Sequence, residues 1–146
     1  MDPKKFLSDS EQKQIVDAII KAEKNTSGEI RLHIDSVCEG PAYDKAVKIF
    51  NYLGMEGTAQ RNAVLIYLAC ESKVFAIIGD KGINEVVPEN FWNDILLEMK
   101  NDFSKGHFAS GLIKAIEMTG NKLCEFFPYT TDDINEQSDE ISFEKK

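Results

Sequence analysis

Positive charge, cysteine and long apolar runs are all in short supply in this chain, and each shortage removes a class of function. Lysine and arginine number 17 against 25 acids, for a net charge of −8 and a pI near 4.8. Nucleic acids and anionic membranes reward clustered Lys and Arg, so neither is expected as the main partner; cations or basic proteins suit the chain better. The three cysteines, Cys38, Cys70 and Cys124, are too widely spaced for a C-x-x-C redox pair or a local zinc knuckle. Their odd number suits no complete disulfide framework, so reduced, buried thiols are expected. Met1-Asp2-Pro3-Lys4-Lys5 leads into polar sequence and no later apolar run is long enough to cross a bilayer. Direct membrane insertion is therefore not expected, and the cytoplasm is the expected compartment. Also missing are a G-x-S-x-G elbow, an H-E-x-x-H helix and a P-loop, which removes the usual support for serine hydrolase, zinc protease and NTPase readings.

What remains is enough for one domain, since 146 residues with 42% apolar composition can bury a core without covalent staples. Ser8 and Glu11 form an S-x-x-E capping box ahead of Ile15, Ile19 and Ala22, which predicts a helix over 8–25. Glu29 to Asp35 alternates strictly, so Ile30, Leu32 and Ile34 should face a core while Glu29, Arg31, His33 and Asp35 face away. A helix over 42–53 follows, with Tyr43, Ala46, Val47, Phe50 and Leu53 on one stripe. The continuous apolar runs 63–69 and 74–78 read as central strands, and the short Cys70-Glu71-Ser72-Lys73 link makes them an antiparallel hairpin. Pro88 opens a helix that carries Phe91, Trp92, Ile95, Leu96, Met99 and Phe103. A last helix runs from His107 to Phe127. The order α-β-α-β-β-α-α predicts a three-layer α/β/α sandwich with a small mixed sheet, spanning residues 8–128. Residues 129–146, which hold six acids and two lysines from position 130 onward, are expected to form a disordered acidic tail.

This topology has a chemical consequence. If the helix at 42–53 is a crossover, the strands at 29–35 and 63–69 run parallel and the hairpin reverses the strand at 74–79. Glu29, Arg61, Asn62, Asp80 and Glu85 then meet at one rim of the sheet. Asp80, Asn84 and Glu85 are hard oxygen donors of the type that calcium and magnesium prefer, Asn62 and the Gly79 and Gly82 carbonyls could add neutral oxygens, and Arg61 could grip an anionic group bidentately. The candidate metal ligands are thus Asp80, Glu85, Asn62 and Glu29, and the candidate catalytic residues are Asp80, Glu85 and Arg61, a set suited to metal-assisted phosphoester hydrolysis. Two plainer alternatives stay open: a Gly-Asp turn at 79–82, and a salt bridge from Arg61 to Asp80 or Glu85 that only trims the sheet edge. The opposite rim, Asp35 to Gly40, ranks second as a ligand site, because open α/β sheets bind ligands beyond the carboxyl ends of parallel strands. His33 reads as a solvated or supporting histidine.

Five motifs, in order, carry a resemblance. Thr26-x-Gly28-Glu29-Ile30, Arg61-Asn62-x-Val64-Leu65-Ile66, Gly79-Asp80-x-Gly82-Ile83, Phe91-Trp92, and Phe103-x-x-Gly106-x-Phe108-x-x-Gly111-Leu112-Ile113-x-Ala115-Ile116 together resemble the TPM domain over about residues 8–127. The resemblance implies an α/β/α sandwich and, through a thylakoid-lumen member described as a calcium-binding acid phosphatase, calcium or magnesium as cofactor and a phosphoester substrate. It also implies that Asn62 and Glu85 occupy positions that are acidic in that member. A second expectation is a non-enzymatic module that binds a protein partner and assists a membrane-associated complex.

Overall fold

A computed structural model describes residues 2–129 and 139–144. The chain order is α1 (Pro3–Phe6), α2 (Asp9–Glu23), β1 (Glu29–Asp35), α3 (Ala42–Tyr52), a 3-10 turn (Met55–Gly57), β2 (Ala63–Ala69), β3 (Val74–Gly79), α4 (Lys81–Asn84), α5 (Asn93–Ser104), α6 (Phe108–Phe126) and β4 (Ser142–Phe143). The sheet order is β3-β2-β1-β4. β1 lies parallel to β2 with Glu29 opposite Ala63, and β2 pairs antiparallel with β3 with Val64 opposite Gly79. This is the three-layer sandwich with a mixed sheet that the element order implies.

Each face of the sheet has its own core. Ile30, Leu32 and Ile34 of β1 join Val64, Ile66 and Leu68 of β2 beneath α2, α5 and α6, while Leu65, Tyr67 and Ile78 pack under Ala46 and Phe50 of α3. β2 is buried at all seven positions because helices cover both of its sides, which is why its sequence shows no alternation. The Ser8 capping box forms as written, with the Ser8 hydroxyl accepting from the Glu11 N–H and the Glu11 carboxylate accepting from the Ser8 N–H. Helix α6 meets its neighbours at glycines. A methyl group on Gly111 would sit 2.8 Å from the Phe103 ring, so no larger residue lets α5 and α6 approach this closely.

Several expectations need correction. The helix after Pro88 begins at Asn93, because residues 89–92 form turns before the helical ladder starts. Tyr43 is 58% exposed; it flanks the α3 stripe, whose buried residues are Ala46 and Phe50. Only Cys70 of the three free thiols is buried. Glu29, His33 and Asp35 are 3%, 4% and 3% exposed, so the second face of β1 is covered too. The cover comes partly from the tail. Of the span 129–146, residues 130–138 and 145–146 lie outside the described residues, but Ser142 and Phe143 form β4, parallel to β1 opposite His33 and Ile34. Ile141 and Phe143 pack against the larger core, an apolar contact that overrides the acidic composition and the expected disorder of that segment. Among the described residues no helix is long and apolar enough to cross a membrane.

Candidate functional site

The rim formed by the start of β2 and the end of β3 is built on a left-handed residue. Arg61 has φ 51°, a conformation that costs a non-glycine residue about 1–2 kcal/mol. Its surroundings hold it there. The Arg61 N–H donates to the Thr58 carbonyl at 3.2 Å, and its own carbonyl accepts from the Gly82 N–H at 2.8 Å. Gly82 is required at that crossing, since a Cβ would stand 2.2 Å from the Gln60 oxygen and 2.7 Å from the Arg61 oxygen. With the backbone so bent, the guanidinium reaches back to Asp80: Nε to Oδ2 at 2.7 Å and Nη2 to Oδ1 at 2.9 Å. Asp80 also caps α4, its Oδ1 accepting from the Lys81 N–H at 2.7 Å. The carboxylate is 5% exposed and its arginine 45% exposed. The hydrogen bond to Asp80 holds the Arg61 guanidinium above its ordinary value.

Arg61, Asp80, Asn84 and Glu85 line a groove of about 410 Å³, with Tyr43 of α3 on its far wall. An adjoining hollow of about 460 Å³ shares Tyr43 and Asn84 and extends to Trp92. The Asn84 amide donates to the Gly79 carbonyl at 3.0 Å. Glu85 is 63% exposed and lies 3.9 Å from the Lys81 ammonium. The other two expected ligands share the rim through their backbones, the Glu29 N–H donating to the Asn62 carbonyl at 3.4 Å, but their side chains do not enter the groove. Asn62 is 1% exposed; its amide donates to the Ser27 hydroxyl at 3.3 Å and its oxygen is buried without a partner. Glu29 is 3% exposed and faces Glu23. Burial, a hydrogen bond with Asp139 and the negative charge of Glu29 push the Glu23 carboxyl up to about 11, against a hydrogen bond from the Ile30 N–H that lowers it. Among the described residues no group of three or more His, Cys, Asp or Glu side chains is arranged to hold a metal ion. The oxygen-bearing side chains that line the groove are Asp80, Asn84 and Glu85, of the hard type that magnesium and calcium prefer.

The opposite rim is organised differently. His33 Nε2 lies 2.6 Å from Asp35 Oδ1, the Tyr67 hydroxyl donates to Asp35 Oδ2 at 2.8 Å, and His33 Nδ1 meets the Ser142 hydroxyl at 2.9 Å. The His33 and Tyr67 rings stack at 6.1 Å. Burial alone would raise the Asp35 carboxyl, yet the hydrogen bonds from His33 and Tyr67 outweigh it and hold Asp35 below its ordinary value. Burial and Asp35 push the Tyr67 phenol far up. This network was not assembled from the sequence. Its signal was the single hydroxyl of Tyr67 inside an otherwise apolar strand, which demands a buried partner.

Comparison with known proteins gives a consistent picture. The family model of the TPM domain matches residues 1–122. The fold is similar to the NMR structure of BA42 protein from the psychrophilic bacterium Bizionia argentinensis, at a TM-score of 0.90 and 46% identity over 95% of this chain and 96% of that one. The N-terminal domain of a P. gingivalis protein matches at a TM-score of 0.66 and 16% identity, over 84% of this chain and 79% of that one. The N-terminal domain of the cg2496 protein from Corynebacterium glutamicum matches at 0.63 and 14%, over 96% and 81%. The last two likenesses concern the fold alone. No curated protein matches.

Proposed function

Because the chain belongs to the TPM domain family, we propose that it binds a divalent cation, magnesium or calcium, at the Asp80 rim and has weak metal-dependent phosphomonoesterase activity there. The observation that carries this reading is the buried Asp80 carboxylate on the wall of an open groove, neutralised by a half-exposed arginine. A buried charge needs a partner, and a partner on a flexible, solvent-reaching stem is one that a cation can replace. Asp80, Asn84 and Glu85 would hold the ion. When bound, it supplies positive charge that polarises a phosphoryl oxygen. Arg61 is the anion-binding group: its fork, now closed on Asp80, has the geometry for two phosphoryl oxygens. Glu85, exposed at the end of α4, would accept a proton from an attacking water.

Titration with magnesium or calcium chloride tests the first half. Amide signals of Asp80, Asn84 and Glu85 should move, and at a hundredfold excess over Kd the fold should gain about 2.7 kcal/mol. Asp80→Asn should abolish most of that gain. A thermal midpoint and amide spectrum indifferent to millimolar metal would remove the site. If metal binds but phosphomonoester turnover equals that of buffer, and Glu85→Gln changes nothing, the protein is a binding module.

A further inference from the structure

We propose that the hollow at the hairpin end of the sheet, lined by Leu68, Phe75, Phe103 and Phe108, binds a small amphipathic carboxylate, a single ring or short apolar chain ending in one negative charge, with Lys73 and Lys100 as its counter-ions. It lies at the other end of β2 and β3 from Arg61 and Asp80, so it stands or falls apart from the activity proposed for that rim.

The apolar lining comes from the hairpin and two helices. Leu68 and Phe75 are cross-strand partners one pair in from the turn. Phe103, in the last turn of α5, meets Phe75 edge to face at 5.2 Å between ring centroids and lies nearly parallel to Phe108, in the first turn of α6, at 5.3 Å. Leu68 is fully buried, whereas all three rings are only half-buried and keep surface for a guest. The space they border is about 210 Å³. A cavity of about 150 Å³ lined by aliphatic and aromatic side chains accepts benzene, so a single ring carrying a short chain is the guest of matching size.

Charge selects which such molecule. The polar side chains at the hollow are Lys73, Lys100 and Ser104, and the Ser104 hydroxyl already donates to the Asn101 carbonyl at 2.7 Å. In a chain with 25 acids against 17 basic residues, two cations and no acid line this space. Other concave surfaces of the molecule differ: Asp80 and Glu85 line the Arg61 groove, Glu89 lines the hollow beside it, and Asp17 and Glu117 line the cleft between α2 and α6. Lys81, Lys114 and Lys122 each lie within 4 Å of a carboxylate, whereas neither Lys73 nor Lys100 pairs with an acid among the described residues. Lys73 also holds φ at 58°, a left-handed conformation that glycine and asparagine adopt more readily, so the turn itself does not call for a lysine. Burial of the apolar body drives binding, and two unneutralised ammonium groups favour the anion over a neutral molecule of the same shape.

The probes are phenylacetate, its neutral counterpart phenylacetamide, and acetate, each titrated into the isotopically labelled full chain. Phenylacetate should move the amide signals of Phe75, Phe103 and Phe108 and saturate in the millimolar range, while phenylacetamide binds at least tenfold more weakly. Lys73→Gly and Lys100→Gln should each weaken phenylacetate at least threefold and leave phenylacetamide unchanged. Both lysines are exposed and glycine suits the left-handed turn, so neither variant should melt below the natural chain and a lost fold does not mimic a lost site. Equal affinity for the acid and the amide overturns the proposal, as do lysine variants that bind phenylacetate like the natural chain. A spectrum indifferent to tens of millimolar phenylacetate overturns it too, and so does acetate moving the same signals as far, which would mean a surface anion effect without a pocket.

Discussion

The two ends of the sheet treat buried acids in opposite ways. At the end where β1 and β2 finish, Asp35 is satisfied by donors from a histidine and a tyrosine that are themselves buried. Where they start, acids crowd: Glu23 faces Glu29, and Asp80 and Glu85 line one groove with Arg61 and Lys81 as the near cations. The first arrangement is buried. The second is balanced by side chains that are 45% and 70% exposed, so its charge state responds to what is in solution. The two ends thus differ in what neutralises a buried acid: solvent-reaching cations at one, buried hydrogen-bond donors at the other.

The largest expected effect breaks the closed end. Asp35→Ala leaves His33 Nε2 and the Tyr67 hydroxyl buried with nothing between them, and should cost about 3 kcal/mol of unfolding free energy, since each orphaned polar group costs roughly 1–3 kcal/mol. Asp80→Ala at the open end should cost clearly less, because Arg61 can swing into water. Urea midpoints of both variants check the contrast; equal losses would mean that the two ends are not different in kind.

Much of this was legible in the sequence and some was not, for reasons that lie in particular residues. The strand Glu29–Asp35 and the 63–69 and 74–79 hairpin could be read because period-2 alternation and continuous apolar runs are local signals. The Arg61 to Asp80 pairing followed from topology alone, and the plain alternative of a salt bridge at the sheet edge describes the geometry in this structure. What could not be read depended on side-chain direction. Asn62 falls on the Val64 face of β2 and so turns toward Ser27 instead of the groove. The tail could not be read either, because six acids masked the contribution of Ile141 and Phe143, whose burial depends on an edge 109 residues earlier in the chain. The short helix Lys81–Asn84 arises from a cap by Asp80, a residue equally at home in a turn.

A second, smaller effect sharpens the comparison at the open end. Gly82→Ala puts a methyl group against the Gln60 and Arg61 carbonyls, which neither rigid oxygen can escape without moving the left-handed turn. The expected loss is about 2 kcal/mol, within the range for inserting a methyl group where none fits. The Asp80 amide signal should shift with it, while those of His33 and Asp35 stay in place. A variant as stable as the natural chain, with Arg61 still paired to Asp80, would show that the rim is pliable and that its geometry is not what holds the ion pair.

The smallest effect concerns Glu23 and pH. A carboxyl raised from 4.5 to about 11 in the folded chain keeps its proton across neutral pH, whereas the unfolded chain releases it above about pH 4.5. Between those values the folded state binds the extra proton, so its contribution to stability is complete below about pH 4.5 and declines as pH rises toward 11. The ceiling for one proton is about 1.4 kcal/mol per pH unit, and water reaching this half-buried group should reduce that to a few tenths. Glu23→Gln keeps an oxygen for the Ile30 N–H and carries its hydrogens at every pH, so it should unfold with a flatter pH dependence from 5 to 9 and be about 1–2 kcal/mol more stable than the natural chain at the upper end. Parallel slopes for the two proteins would mean that Glu23 is already ionised at neutral pH, and that the crowding of acids at this rim is relieved some other way, by solvent or by a bound cation.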